Sequence, residues 1–249
     1  MRDEHQKFEP IEIFTAFPEL NSILKKVLPK TNGSLSEIIS GRGVYKLSDK
    51  ALADHPEIEQ LQSKGHKKDV GSGAFRVLKD VVFFKEKPSD GHDDYVRFLG
   101  LSNRTREYWW GRQIYQDVPD SFYHYKVFVP KANGSGSLGE TLTTPLIGEP
   151  LIGATETFIS IGDFLTEIEA TNCLSYIKSK FARVMLGVLK TTQDNTRAKW
   201  EYVPLQDFTP NSDIDWTKSI PEIDQQLYKK YNLSEDEINF IETKVQAMD

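Results

Sequence analysis

Cysteine is nearly missing from this chain: Cys173 is the one thiol in 249 residues. A lone thiol closes no intrachain disulfide, which excludes the small disulfide-stapled folds and fits a reducing, cytoplasmic setting. It falls among apolar residues at helical spacing and reads as a small core side chain. Long hydrophobic runs are also lacking. No segment is long and apolar enough to span a membrane, and the first twenty residues hold no stretch of the kind that leads a secretory signal. The Asn-x-Ser/Thr sequons at Asn32, Asn103, Asn133 and Asn232 are therefore expected to be accidental. The five histidines, His5, His55, His66, His92 and His124, are scattered without zinc spacing. No Walker loop and no Gly-x-Ser-x-Gly elbow occurs. A Pro-Asp ahead of an acid-x-Lys pair would suggest a metal-dependent nuclease, but Pro119-Asp120 has no such partner nearby, and Glu242-x-Lys244 falls in the last expected helix. His92-Asp93-Asp94 supplies too few ligands for a metal. No catalytic residue, metal or bound cofactor is expected in this chain.

An excess of positive charge is absent too. The formal net charge is −6, which argues against a simple binder of nucleic acid. Its distribution changes the reading. Residues 207–249 hold ten acids against four bases, so the acidity is confined to the tail and the rest of the chain is neutral.

What is present centres on residues 155–204. Residues 155–161 are rich in β-branched and aromatic side chains and predict a strand. Thr166-Glu167-Ile168-Glu169 has the spacing of a capping box and predicts a helix start. Behind it Ala170, Cys173, Leu174, Ile177, Phe181, Val184, Met185 and Val188 recur every three or four residues, which predicts one helix to about Lys190. A polar loop follows, and residues 200–203 read as a short strand stopped by Pro204. The other face of the helix carries Lys178, Lys180, Arg183 and Lys190, with Arg197 and Lys199 beyond it, opposed only by Asp194 and Glu201 between residues 171 and 205. Gln193 and Asn195 lie among these cations, and their side chains both donate and accept on a base edge. The plain alternative is a core helix with a solvated outer face.

Ordered motifs here resemble a known family. Residues 176–183 (YIKSKFAR), 189–193 (LKTTQ) and 202–208 (YVPLQDF) look like the C-terminal segment of bacterial type II restriction-modification adenine methylases, the large enzymes that join methylase and often nuclease in one chain. Residues 125–136 (YKVFVPKANGSG) and 227–242 are similar to that segment as well, so the likeness covers about residues 95–249. It implies a target recognition domain, the part that reads the DNA sequence. It also implies S-adenosylmethionine and adenine flipping in a methylase domain or subunit outside this chain. Gly71-Ser72-Gly73-Ala74-Phe75 resembles the glycine loop that holds S-adenosylmethionine. The charged run 64–69 (KGHKKD) before it is no buried strand, however, and the catalytic Asn-Pro-Pro-Phe or Asp-Pro-Pro-Tyr run is missing. A loop leading into a strand at 75–78 is expected there instead.

Along the rest of the chain, residues 13–28 repeat apolar side chains at helical spacing, with a break near Pro18, and Gly41-Arg42-Gly43 is a loop. Residues 95–101 and 106–110 flank a turn at 102–105 and predict a hairpin, and 122–129 predicts a strand. Tyr108, Trp109, Trp110, Tyr123 and Tyr125 lie close in sequence to Arg104, Arg106, Arg112 and Lys126. The sheet is expected to be structural and the loop arginines Arg104 and Arg106 functional. In Lys131-Ala132-Asn133-Gly134-Ser135, glycine frees backbone N–H groups for an anion, so Lys131, Asn133, Gly134 and Ser135 join the candidate DNA contacts. Pro221 and a second capping box at 234–237 predict two closing helices.

The expected fold is α+β: a β-rich lobe (41–165) on a long amphipathic helix, an N-terminal helical segment (1–40), and a helical lobe (166–249). The expected partner is double-stranded DNA. A small independent nuclease and a protein–protein specificity subunit are the alternatives.

Overall fold

The computed structural model describes residues 15–41 and 43–248. Ile13 and Phe14 of the expected first helix, and Arg42 of the Gly-Arg-Gly loop, lie outside them. The elements are α1 (Pro18–Val27), β1 (Lys46–Leu47), α2 (Asp49–Asp54), α3 (Ile58–Leu61), α4 (Ala74–Val77), β2 (Tyr95–Ser102), β3 (Thr105–Arg112), β4 (Gln116–Asp117), β5 (Tyr125–Pro130), β6 (Leu146–Gly148), β7 (Ile152–Ala154), β8 (Phe158–Phe164), α5 (Glu167–Lys178), α6 (Lys180–Leu186), α7 (Ile220–Lys230) and α8 (Glu235–Lys244). This is an α+β fold with small sheets, in the strand orders β1-β4, β3-β2-β7 and β6-β5-β8.

The β2–β3 hairpin forms as its sequence predicts. Ser102 pairs with Thr105, and the two turn residues Asn103 and Arg104 hold left-handed φ angles of 50° and 66°. That turn matches the right-handed twist of the strands, and asparagine tolerates the conformation well. β7 adds in parallel to the other edge of β2. In the second sheet β5 is central and antiparallel to both neighbours.

Alternation along β5 divides the interior. Val127 and Val129, with Ile159 and Ile161 of β8, join α1 and the helices α5 to α8 in one apolar cluster. Phe128 and Phe158 join a second cluster built on Phe75, Phe83, Phe98, Trp109 and Phe122. β5 and β8 are thus a shared wall between a helical layer and the hairpin layer. α1 begins at Pro18, whose fixed φ and missing N–H suit the first helical position, and it buries Leu20, Ile23, Leu24 and Val27 in the same cluster as α8. The N-terminal segment and the C-terminal helices therefore share a core despite their separation in sequence.

Several sequence expectations need correction. The helix expected over 166–190 is two helices. Thr166 caps α5 with the expected box, but Ser179 leaves the helical region (ψ 149°) and its hydroxyl accepts the Ala182 N–H at 3.1 Å to start α6. The carboxylate of Asp224 on α7 accepts the next two free donors, the N–H groups of Lys180 (3.0 Å) and Phe181 (2.9 Å). The Ser179 cap is thus completed by a residue 44 positions from Lys180 in sequence. Burial pushes the Asp224 carboxyl up to about 6. Residues 200–203 are not a strand: a 3-10 turn, Arg197–Trp200, buries Trp200 there. Residues 75–78 belong mostly to α4, and Phe122 sits in a 3-10 turn before β5 begins at Tyr125.

Candidate nucleic-acid interface

Three of the segments picked out in the sequence are tied together, and Asn133 is the tie. Its Nδ2 donates to the Thr141 carbonyl at 2.8 Å, its Oδ1 accepts the Thr143 N–H, and its backbone N–H donates to the Gln193 carbonyl at 2.7 Å. Ala132 bridges Asp194 in antiparallel fashion, and the Asn195 N–H donates to the Lys131 carbonyl at 2.8 Å. Arg106, at the base of the hairpin turn, donates to the carbonyls of Thr143 (2.7 Å) and Thr144 (2.5 Å) and stands over the Phe158 ring. Hairpin turn, glycine-rich loop and the 190–199 segment so form one connected rim.

The expected contacts separate into two groups on this geometry. Arg183 is buried, and its guanidinium donates to the carbonyls of Lys178 (3.1 Å), Gly139 (3.3 Å), Glu140 (3.4 Å) and Gln246. Among the described residues no carboxylate takes it. It is a cross-brace between helix, loop and C-terminus, and burial lowers its pKa to about 10. Lys190 is also buried; its ammonium pairs with Glu140 and donates to the carbonyls of Asn133 (2.9 Å) and Thr192 (3.2 Å). Asn195 and Asn133 are buried, and Lys180 is held by the Glu242 carboxylate at 2.5 Å. These five were expected on DNA. In the free protein the structure corrects that for each, because backbone carbonyls claim the charge or the amide first, joined by Glu140 for Lys190 and by an acid on α8 for Lys180. Lys126, on a strand expected to be structural, is also buried and donates to three carbonyls.

The second group remains at the surface. Arg104 and Gln193 are exposed, Lys131 and Lys199 are half-buried, and among the described residues none of the four side chains has a hydrogen-bonded or ionic partner. Arg197 is exposed and, among the described residues, uses only its Nε, toward the Ser36 carbonyl at 2.8 Å. Lys178 is half-buried in the last turn of α5, where a cation suits the helix dipole.

The glycine-rich loop does cradle an anion, as its composition predicts, but the anion is internal. The N–H groups of Ser135 (2.7 Å) and Gly136 (3.0 Å) donate to the carboxylate of Glu140. Gly136 has φ +92°, and a Cβ there would stand 2.3 Å from the Thr192 backbone nitrogen, so only glycine lets the loop lie against the 190–199 segment. Burial alone would raise the Glu140 pKa; the hydrogen bonds from Lys190, Ser135 and Gly136 outweigh it and hold the carboxyl below the ordinary range. Glu140 lies outside the 171–205 stretch whose acids oppose the basic face in sequence, so the spacing of that stretch does not reveal its role. Its place four residues after Gly136, inside a glycine-rich stretch, was the available signal.

No model of a known protein family matches the chain, and no curated protein matches it. Among the described residues, no helix is long and apolar enough to cross a membrane.

Proposed function

We propose that this chain reads the sequence of double-stranded DNA as the target recognition domain of a restriction-modification adenine methylase. Methyl transfer, with its S-adenosylmethionine and its flipped adenine, belongs in this reading to a partner methylase domain or subunit. The observation that supports it best is the connected rim, in which exposed Arg104, Gln193 and Arg197 and half-exposed Lys131 and Lys199 are offered together. Lysines place charge on phosphates without reading sequence, while the glutamine amide and the arginine forks match base edges. Lys131, Lys199 and Ser135 accordingly take the phosphate contacts, and Arg104, Gln193 and Arg197 take the bases. Asn133, Arg183, Lys190 and Asn195 hold the rim in shape from inside. The similarity of residues 176–208 to the family's segment fits this division: several of its basic residues brace the rim.

The test is a gel-shift series with random-sequence duplexes at low salt, run beside methylation and cleavage assays. The reading expects binding without either activity. Retention of no duplex at low salt, or turnover by this chain alone, would contradict it.

A further inference from the structure

The cradle around Glu140 is built more fully than a loop staple requires. Four donors converge on one carboxylate: the N–H groups of Ser135 (2.7 Å) and Gly136 (3.0 Å), the Ser135 hydroxyl (3.3 Å), and the Lys190 ammonium. The Lys190 side chain is only 3% exposed, and the Asn133 and Thr192 carbonyls take its other two protons, so the third is fixed toward the carboxylate. Gly134, with φ +61°, brings its backbone so close that a Cβ would fall 2.2 Å from a Glu140 oxygen. The mouth is open: Gly134, Ser135, Thr191 and Thr192 are exposed, and the Glu140 side chain is 15% exposed. Backbone N–H groups in succession beside a lysine are the donor set that holds phosphate oxygens. A carboxylate presents the same paired oxygens with one negative charge.

We propose that this cradle is a phosphate site gated by Glu140, whose side chain fills it in the free protein and swings out when a phosphate enters. The cradle's chemistry stands alone; that the phosphate comes from a DNA backbone rests on the function proposed above. Gating follows from connectivity. Glu140 is tethered beside its donors, so its effective concentration far exceeds that of a free anion, and dissolved phosphate does not displace it. A duplex already held by the rim delivers its phosphate at comparable local concentration. The exchange keeps every donor paired, which leaving the cradle empty would not. The site thus responds to a docked duplex rather than to loose anions.

Orthophosphate titrated into the wild type and into Glu140→Ala, followed by calorimetry and by the amide resonances of Ser135 and Gly136, tests the gate. The expected result is one-to-one binding by Glu140→Ala at least tenfold tighter than any by the wild type, with both amides shifting. In the wild type the same amides shift on adding duplex and not on adding orthophosphate. A folded Glu140→Ala that binds orthophosphate no better than the wild type overturns the proposal. If that variant does not fold, the same titration of Glu140→Gln, which keeps the side-chain volume, decides by the same criterion. Phosphate binding by the variant without duplex binding by the wild type would keep the cradle and remove the DNA reading. The opposite pair of results would keep the reading and remove the gate.

Discussion

Arg183 and Arg104 carry the same charge and do opposite work. Arg104 sits in a two-residue turn with its guanidinium in solvent, whereas Arg183 is enclosed and bonded to carbonyls from residues 139, 140, 178 and 246. Arg183→Ala strands buried acceptors, each costing about 1–3 kcal/mol, so urea unfolding should show a loss on the order of 3 kcal/mol. Arg104→Ala should stay within about 0.5 kcal/mol in the same assay and act on duplex binding alone. Lys126 gives a prediction in pH. Burial pushes its pKa from 10.5 down to about 7, although the carbonyls of Glu149 (2.9 Å), His124 (3.0 Å) and Phe122 (3.1 Å) receive its donors. Between about pH 7 and the ordinary value of 10.5 the unfolded chain binds this proton more tightly than the folded one, so Lys126 makes stability rise with pH across that window. Lys126→Met should remove that rise. Urea midpoints near pH 7 and near pH 9.5 compare the two proteins, and an unchanged slope in the variant would show that Lys126 does not titrate there.

At the scale of elements, local rules were legible and long-range donors were not. The capping boxes at Thr166 and Ser234 and the hairpin turn form where their residues predict, because each is closed by groups within three residues in sequence, side chains for the boxes and backbone for the turn. The break at Ser179 was invisible, since the apolar stripe runs through it unbroken and the stabilising acid, Asp224, comes from α7. The basic stripe misled for the same reason: its charges pointed at carbonyls of residues 139, 140 and 246, which sequence spacing does not bring near. Ser179→Ala removes a helix cap and should cost about 1 kcal/mol in thermal or urea unfolding. Gly136→Ala tests the rim as a unit. Its methyl would collide with the Thr192 backbone from a left-handed φ, so the loop must leave the 190–199 segment. The variant should keep cooperative unfolding and lose tenfold or more in duplex affinity; an unchanged affinity would separate the loop from the interface.

For the whole molecule, the charge of −6 is the main objection to a DNA reader, and its placement answers it. The acids concentrate in residues 207–249, in and around α7 and α8, and Glu242 and Glu237 there are used internally against Lys180 and Lys26. The rim lies on loops of the β-rich side and keeps Lys131, Arg197 and Lys199 available. Two lysines on phosphates, Lys131 and Lys199, would give a slope of about −2 in log affinity against log salt, and Lys199→Ala should reduce it by about 1. Both cores share the wall of β5 and β8, which gives the rim a rigid base, since Lys131 follows β5 directly.

The most direct measurement is selection of bound duplexes from a random-sequence pool, carried out with the wild type and with Gln193→Ala. A single motif of a few base pairs should emerge for the wild type, and Gln193→Ala should lose preference at one position of it, a cost of about 1–3 kcal/mol, with the others kept. Equal retention of all sequences by both proteins, or of none, would contradict the account.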